Sequence, residues 1–180
     1  MARYVAFLRG LNVGGHQVAM ARLRNEFGQL GFTEVETFIN SGNVAFTSPS
    51  RRKATTLETA IEARLRDALG YDVATFVRTP AELADVAKCV PFPELPPKGT
   101  VYVHFLHALP TSAVQRQILA LQTGDDRLAF RHRELYWWCP TKMIDSPLDM
   151  GAVGKLLGSP STSRNITTVR RLAAKYSPSK

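Results

Sequence analysis

Three stretches of the chain carry residue types that could hold a charged ligand. The first is Arg9-Gly-Leu-Asn-Val-Gly-Gly15, in which Asn12 is followed closely by Gly14 and Gly15. An apolar strand-like run leads into this segment and a helical pattern follows it, an arrangement that gathers bare backbone N–H groups into a concavity able to take an anion. The segment lacks the Lys-Ser/Thr ending of a P-loop and the spacing of a dinucleotide fingerprint. The same glycines also suit a tight excursion packed beneath a hairpin. The second stretch is Asn40-Ser-Gly-Asn43, whose residues tolerate positive φ and read as a hairpin turn. Its side chains Asn40, Ser41 and Asn43 could equally face the first loop. The third is Ser161-Thr-Ser-Arg-Asn165, just before the last helical pattern. Hydroxyls in that place cap a helix; alternatively Arg164 and Asn165, with Arg170 and Arg171 one to two turns on, hold a phosphate or carboxylate at the positive helix end.

Other chemistries find little footing. His104 and His107 lie three apart on an expected strand and so point to opposite faces, and His16 and His132 fall in expected loops, which leaves no metal site to propose. Ser41 lacks the context of a nucleophile elbow, and neither Cys89 nor Cys139 has an activating neighbour. Asp145 and Asp149 share an expected helix face, where capping accounts for Asp149. Two cysteines with 49 residues between them, within apolar surroundings, fit neither a disulfide framework nor a zinc site. With no bilayer-length apolar run and no leader-like start, the expected location is the cytoplasm, away from any membrane.

The formal net charge of +8 invites a polyanionic partner. Residues 101–180 carry 11 basic and 5 acidic side chains against 12 and 10 for 1–100, so the positive field is expected towards the C-terminal end. A solvated, arginine-rich surface explains the same numbers. The densest basic cluster is Arg51, Arg52 and Lys53.

These residues must be positioned by an alternation of strands and helices. Tyr4 to Arg9 reads as a buried strand, and Met20, Leu23, Phe27 and Leu30 recur at helical spacing up to Gly31. Val35–Ile39 and Val44–Thr47 form a hairpin; Leu57, Ile61, Leu65 and Leu69 mark a second helix opened by a Thr55/Glu58 capping box; Val73–Val77 returns as a strand. Thr79, Pro80 and Glu82 start a third helix. After four prolines between Pro91 and Pro97, the order recurs: strand 101–106, helix 112–121, hairpin 128–139, a short helix opened by Ser146, Pro147 and Asp149, and a last helix through Ile166, Val169, Leu172 and Tyr176. Hairpins beside helices predict an α+β fold of two ferredoxin-like portions (strand-helix-hairpin-helix) with mostly antiparallel sheets, at 1–90 and 100–180, joined by a Pro-rich connection at 91–99. Helices then cover one sheet face, and Tyr4, Phe46 and Trp137 or Trp138 are expected on the other.

Taken together, Arg9–Gly15, the hairpin Phe38-Ile-Asn-Ser-Gly-Asn-Val-Ala-Phe46 and Thr162-Ser-Arg-Asn165 with Thr168-Val-Arg-Arg-Leu172 resemble the domain-of-unknown-function family DUF1697 across essentially the whole chain. The resemblance implies a cytoplasmic α+β protein of bacterial type with two ferredoxin-like portions, and brings no established reaction, cofactor or partner. Family members often carry a Ser-Lys-Leu-type stretch where this chain has Thr141-Lys-Met-Ile-Asp-Ser-Pro-Leu148, so a lysine role there would fall to Lys142. The functional expectation is a site for a phosphate-bearing or otherwise anionic small molecule. Arg9 and Arg164 supply charge, Asn12, Asn40, Ser41, Asn43 and Asn165 hydrogen bonds, and Gly14 and Gly15 backbone donors. Two alternatives stand beside it: single-stranded nucleic-acid binding through a basic surface, and a non-enzymatic homodimer formed through the open sheet face.

Overall fold

The structure, a computed structural model, describes residues 1–39, 42–95 and 98–176. It is an α+β fold of two ferredoxin-like portions, each built on an antiparallel four-stranded sheet. The chain divides into two compact units, Met1–Asp85 together with the residues from Leu172 on, and Val86–Arg171.

The first unit contains β1 (Ala2–Arg9), α1 (Met20–Gln29), β2 (Thr33–Thr37), β3 (Asn43–Ser48), α2 (Ala54–Leu69) and β4 (Ala74–Arg78), followed by α3 (Pro80–Lys88). Its strand order is β2-β3-β1-β4. Tyr4, Ala6 and Leu8 of β1 and Val44 and Phe46 of β3 pack against Leu23 and Phe27 of α1 and Leu57, Ile61 and Leu65 of α2. Phe27, Phe32 and Phe46 meet ring to ring at 4.5 to 6.2 Å, so truncating Phe46 to alanine would cost about 3 to 5 kcal/mol.

The second unit repeats the plan with β5 (Thr100–Phe105), α4 (Ser112–Leu119), β6 (Arg127–Arg131), β7 (Glu134–Cys139), α5 (Met150–Leu157) and β8 (Thr162–Asn165), followed by α6 (Ile166–Tyr176). Its order, β6-β7-β5-β8, is the same one. Leu135, Trp137 and Cys139 of β7 pack with Ile118 of α4 and Val153 of α5. Asp126, almost fully buried, accepts the Trp137 indole N–H at 2.5 Å and the Ser146 hydroxyl at 3.0 Å, which ties β7 to the segment leading into α5.

Three sequence expectations are corrected. Tyr4, Phe46 and Trp137 lie in the helix-side cores; in a run such as Tyr4–Leu8, apolar on both faces, alternation carries no phase. Residues 162–165, expected as a capping loop, form strand β8, paired with β5 from Phe105↔Thr162 to Tyr102↔Asn165; four polar residues give no strand signature. Asn165 alone caps α6, its Oδ1 accepting from the Thr167 N–H at 2.8 Å. The capping box expected at Thr55 does not form, because the N-cap of α2 is Lys53, which makes no side-chain cap. Glu58 instead accepts the Val77 N–H at 2.8 Å, and Glu62, one turn on, accepts the Thr75 N–H at 2.8 Å. These two carboxylates cover the outward edge of β4, the outer strand of its sheet. The box at Thr79/Glu82 does form, the Thr79 N–H donating to Glu82 Oε2 at 2.8 Å and the Glu82 N–H to Thr79 Oγ1 at 3.2 Å.

Candidate functional site

The loop between β1 and α1 holds the first of the expected stretches. It is closed from outside, the Tyr71 hydroxyl donating to the Leu11 carbonyl at 2.8 Å while the Tyr71 ring stacks on His16 with centroids 4.2 Å apart. From inside, Asn12 Oδ1 accepts the Val18 N–H at 2.9 Å, which spends the carboxamide oxygen on the loop and leaves the Nδ2 donors turned to other use. Gly14 and Gly15 sit at φ 62° and 84°, where a side chain would be strained. The loop delivers the chain to α1 through Ala19, which offers no side-chain cap. A cavity of about 460 Å³ opens at this helix start, lined by Asn12, Gly15, His16, Gln17 and the residues from Val18 to Met20. No carboxylate side chain precedes Glu26, while four arginines do. The lining carries no acidic side chain, and the first N–H groups of α1 have no side-chain cap at the positive end of the helix.

The remaining candidates fall in different places. Arg9 ends β1 in register with Ala74 and shares the strand face of Phe7 and Val5, away from the face of Tyr4, Ala6 and Leu8 that packs on α1; it does not line the cavity. Gly14 shapes the loop without lining it. Asn43 is fully buried opposite Phe7, its Nδ2 donating to the Phe38 carbonyl at 3.0 Å. Its side chain therefore closes the hairpin. Antiparallel pairing does bring that turn beside the end of β1, with the Leu8 N–H on the Gly42 carbonyl at 2.7 Å. Asn40 and Ser41 lie outside the described residues.

Arg164 and Asn165 belong to the second unit. The Arg164 guanidinium donates to Thr162 Oγ1 at 2.9 Å and to the Ser163 carbonyl at 2.8 Å, and burial pushes it down to about 10. In register with Val103, Arg164 lies on the opposite sheet face to His104 and Ser163. Asn165 lines a separate cavity of about 470 Å³ with Trp138 and Arg170. Thus Asn12 and Gly15 share one cavity, Asn165 lines another, and Asn43 and Arg164 are engaged in their own strands. Sequence reading missed His16 and Gln17 beside Asn12, and Trp138 beside Asn165. Only the strand-to-loop transition after Arg9 could have pointed to the former.

A third cavity, of about 550 Å³, lies at the other end of the first sheet, where β1 begins and α2 and α3 start. Arg51, Arg52 and Lys53 line it, and the Tyr4 hydroxyl holds their backbone by donating to the Arg52 carbonyl at 2.9 Å and accepting the Arg52 N–H at 3.0 Å. Among the described residues no group of three or more His, Cys, Asp or Glu side chains could hold a metal ion, and no helix is long and apolar enough to cross a membrane. Lys142 is exposed, ahead of a 3-10 turn at Met143–Asp145.

No curated protein matches the chain. Among solved structures, the conserved bacterial protein SP0830 from Streptococcus pneumoniae is 24% identical, covers 98% of both chains and superposes with a TM-score of 0.76, a likeness of fold. The family model of a protein of unknown function, DUF1697, matches residues 1–136. That span takes in the glycine loop, the first hairpin, the Pro-rich connection and β6, ends within β7, and stops short of α5, β8 and α6. The chain belongs to the DUF1697 family.

Proposed function

We propose that the first unit binds a phosphate-bearing or otherwise anionic small molecule at the loop between β1 and α1. The observation that carries this reading is the start of α1: Ala19 provides no cap, and the open helix end faces a cavity lined by backbone, Asn12, His16 and Gln17. Gly15 and the first turn of α1 supply backbone donors, Asn12 its Nδ2, and His16 a ring already oriented by Tyr71. The cavity is within the range of about 300 to 1,000 Å³ typical of small-molecule clefts.

Ala19→Asp tests it. A carboxylate at the N-cap position satisfies the same N–H groups from within the chain and adds about 1 kcal/mol of stability. The variant is expected to melt higher than the wild type in plain buffer. It should also lose the rise of about 5 to 10 °C that pyrophosphate at 100 times its dissociation constant gives the wild type. A pyrophosphate response equal in the two proteins would refute the reading.

A second reading, single-stranded nucleic-acid binding, is favoured by Arg51, Arg52 and Lys53 lining one cavity. It does not draw on stacking of bases on a sheet face, since Phe7 and Phe46 of β1 and β3 are fully buried. Its signature is affinity for an RNA oligomer that falls steeply with salt and is cut by Arg51→Gln with Lys53→Gln; salt-independent or unchanged binding would dismiss it.

A further inference from the structure

The pairing of β5 with β8 puts two polar side chains where the first unit has apolar ones. His104 lies opposite Ser163, and at the matching place of the other sheet Ala6 lies opposite Val77. The central strands set the match, since His104 also faces Leu135 of β7 and Ala6 faces Val44 of β3. Ala6 and Val77 are fully buried and fill that place with methyl groups alone. The fold therefore does not itself require polar atoms there.

His104 is 6% exposed, and its Nε2 and the Ser163 Oγ are both buried without a hydrogen-bond partner among the described residues. Directly opposite each other, the two side chains stand on one sheet face with Cβ atoms about 4.5 to 5.5 Å apart. Their neighbours do not supply partners. The Trp137 ring lies 6.2 Å from that of His104, and its N–H is taken by Asp126. Thr162 and Arg164, which flank Ser163 on β8, face the other side of the sheet and bond each other at 2.9 Å. α5, packed in the same core, has Lys155 as its one polar side chain, and Lys155 is exposed. Buried polar atoms are almost always paired, with protein or with ordered water. Burial pushes His104 down to about 4 and so keeps the ring neutral at pH 7, with one nitrogen donating and the other accepting, while a serine hydroxyl does both. A guest that fits between them must be small and able to donate and accept, which describes water.

We infer that His104 and Ser163 hold one buried water molecule between β5 and β8, hydrogen-bonded to Nε2 and to Oγ. The site belongs to the second unit and is independent of the β1–α1 loop. In the first unit Glu58 and Glu62 hold the outer strand through its backbone; in the second, a water-bridged pair of side chains ties the outer strand to its neighbour.

A high-resolution crystal structure of the whole protein tests this first. It should show a single water peak within about 2.7 to 3.2 Å of both Nε2 and Oγ. Relaxation dispersion of solvent ¹⁷O, which counts long-lived waters and is blind to hydroxyl proton exchange, tests it in solution. The double variant His104→Ala with Ser163→Val, which copies the pair of the first unit, should lose one long-lived water relative to the wild type. A wild-type map with no water between the two side chains, or with Nε2 and Oγ bonded directly to each other, would overturn the inference whether or not the variant folds. An equal count of long-lived waters in the folded variant and the wild type would overturn it as well.

Discussion

The two ferredoxin-like units place the same helix in the same position and start it differently. α4, the first helix of the second unit, is preceded by Thr111, whose hydroxyl accepts the Val114 N–H at 3.4 Å. α1 has Ala19 at the equivalent position and a ten-residue glycine-bearing approach in place of a short one. The outer strands differ as well. β4 has its edge covered by Glu58 and Glu62 of the sixteen-residue α2, whereas the eight-residue α5 of the second unit contains no carboxylate. Opposite each other on β5 and β8, His104 and Ser163 keep buried polar atoms, Nε2 and Oγ, without a hydrogen-bond partner. One topology thus tolerates two distributions of polar groups. In the first unit they hold the edge strand and leave a helix end open, and in the second the helix is closed and buried polar atoms near the edge strand stay unmatched.

Breaking the edge cover of β4 should have the largest effect. Glu58→Ala removes the acceptor of the Val77 N–H and the carboxylate 4.0 Å from the buried Arg78 guanidinium, and a loss of about 3 to 5 kcal/mol in urea unfolding is expected. A loss below 1 kcal/mol would show that these carboxylates do not hold the strand.

The second unit should answer to pH. Burial pushes His104 down from 6.5 to about 4, so the unfolded chain takes up a proton below pH 6.5 that the folded one refuses until about pH 4. Stability contributed by the neutral imidazole is complete above pH 6.5 and falls by up to about 3 kcal/mol as pH drops to 4. His104→Leu should remove that part of the pH dependence; an unchanged profile would place the acid sensitivity elsewhere.

Caps give the smallest effects and the sharpest contrast between units. Thr79→Ala opens the reciprocal box of α3 and should cost about 1 kcal/mol. Thr111→Ala loses a single 3.4 Å bond and should cost less in the same denaturation assay; the reverse ranking would contradict the geometry.

How much of this the sequence displayed depended on how local its cause was. Helix faces such as Leu57, Ile61 and Leu65, and the capping pair Thr79 and Glu82, follow from spacing alone. The recurring element order was legible too, because turn residues and apolar periods mark each element. The phase of β1 was not, since Tyr4 to Leu8 is apolar on both faces, and neither was β8, whose partner β5 lies some sixty residues away. At the candidate site, Asn12 and Gly15 were visible as a glycine-rich approach to a helix. Their separation from Arg9 is a matter of strand alternation, and that of Arg164 from Asn165 a matter of β8 being a strand. The contribution of Trp138 depends on tertiary placement against Gly99, which no local pattern encodes.

The central claim is that the open end of α1 receives an anion. Backbone amide shifts recorded during titration with inorganic phosphate address it directly. The account predicts saturable shifts concentrated at Gly15, His16 and the first turn of α1 from Met20, with the amides at the start of α4 unmoved. Shifts spread evenly over surface amides, or equal at α1 and α4, would contradict it.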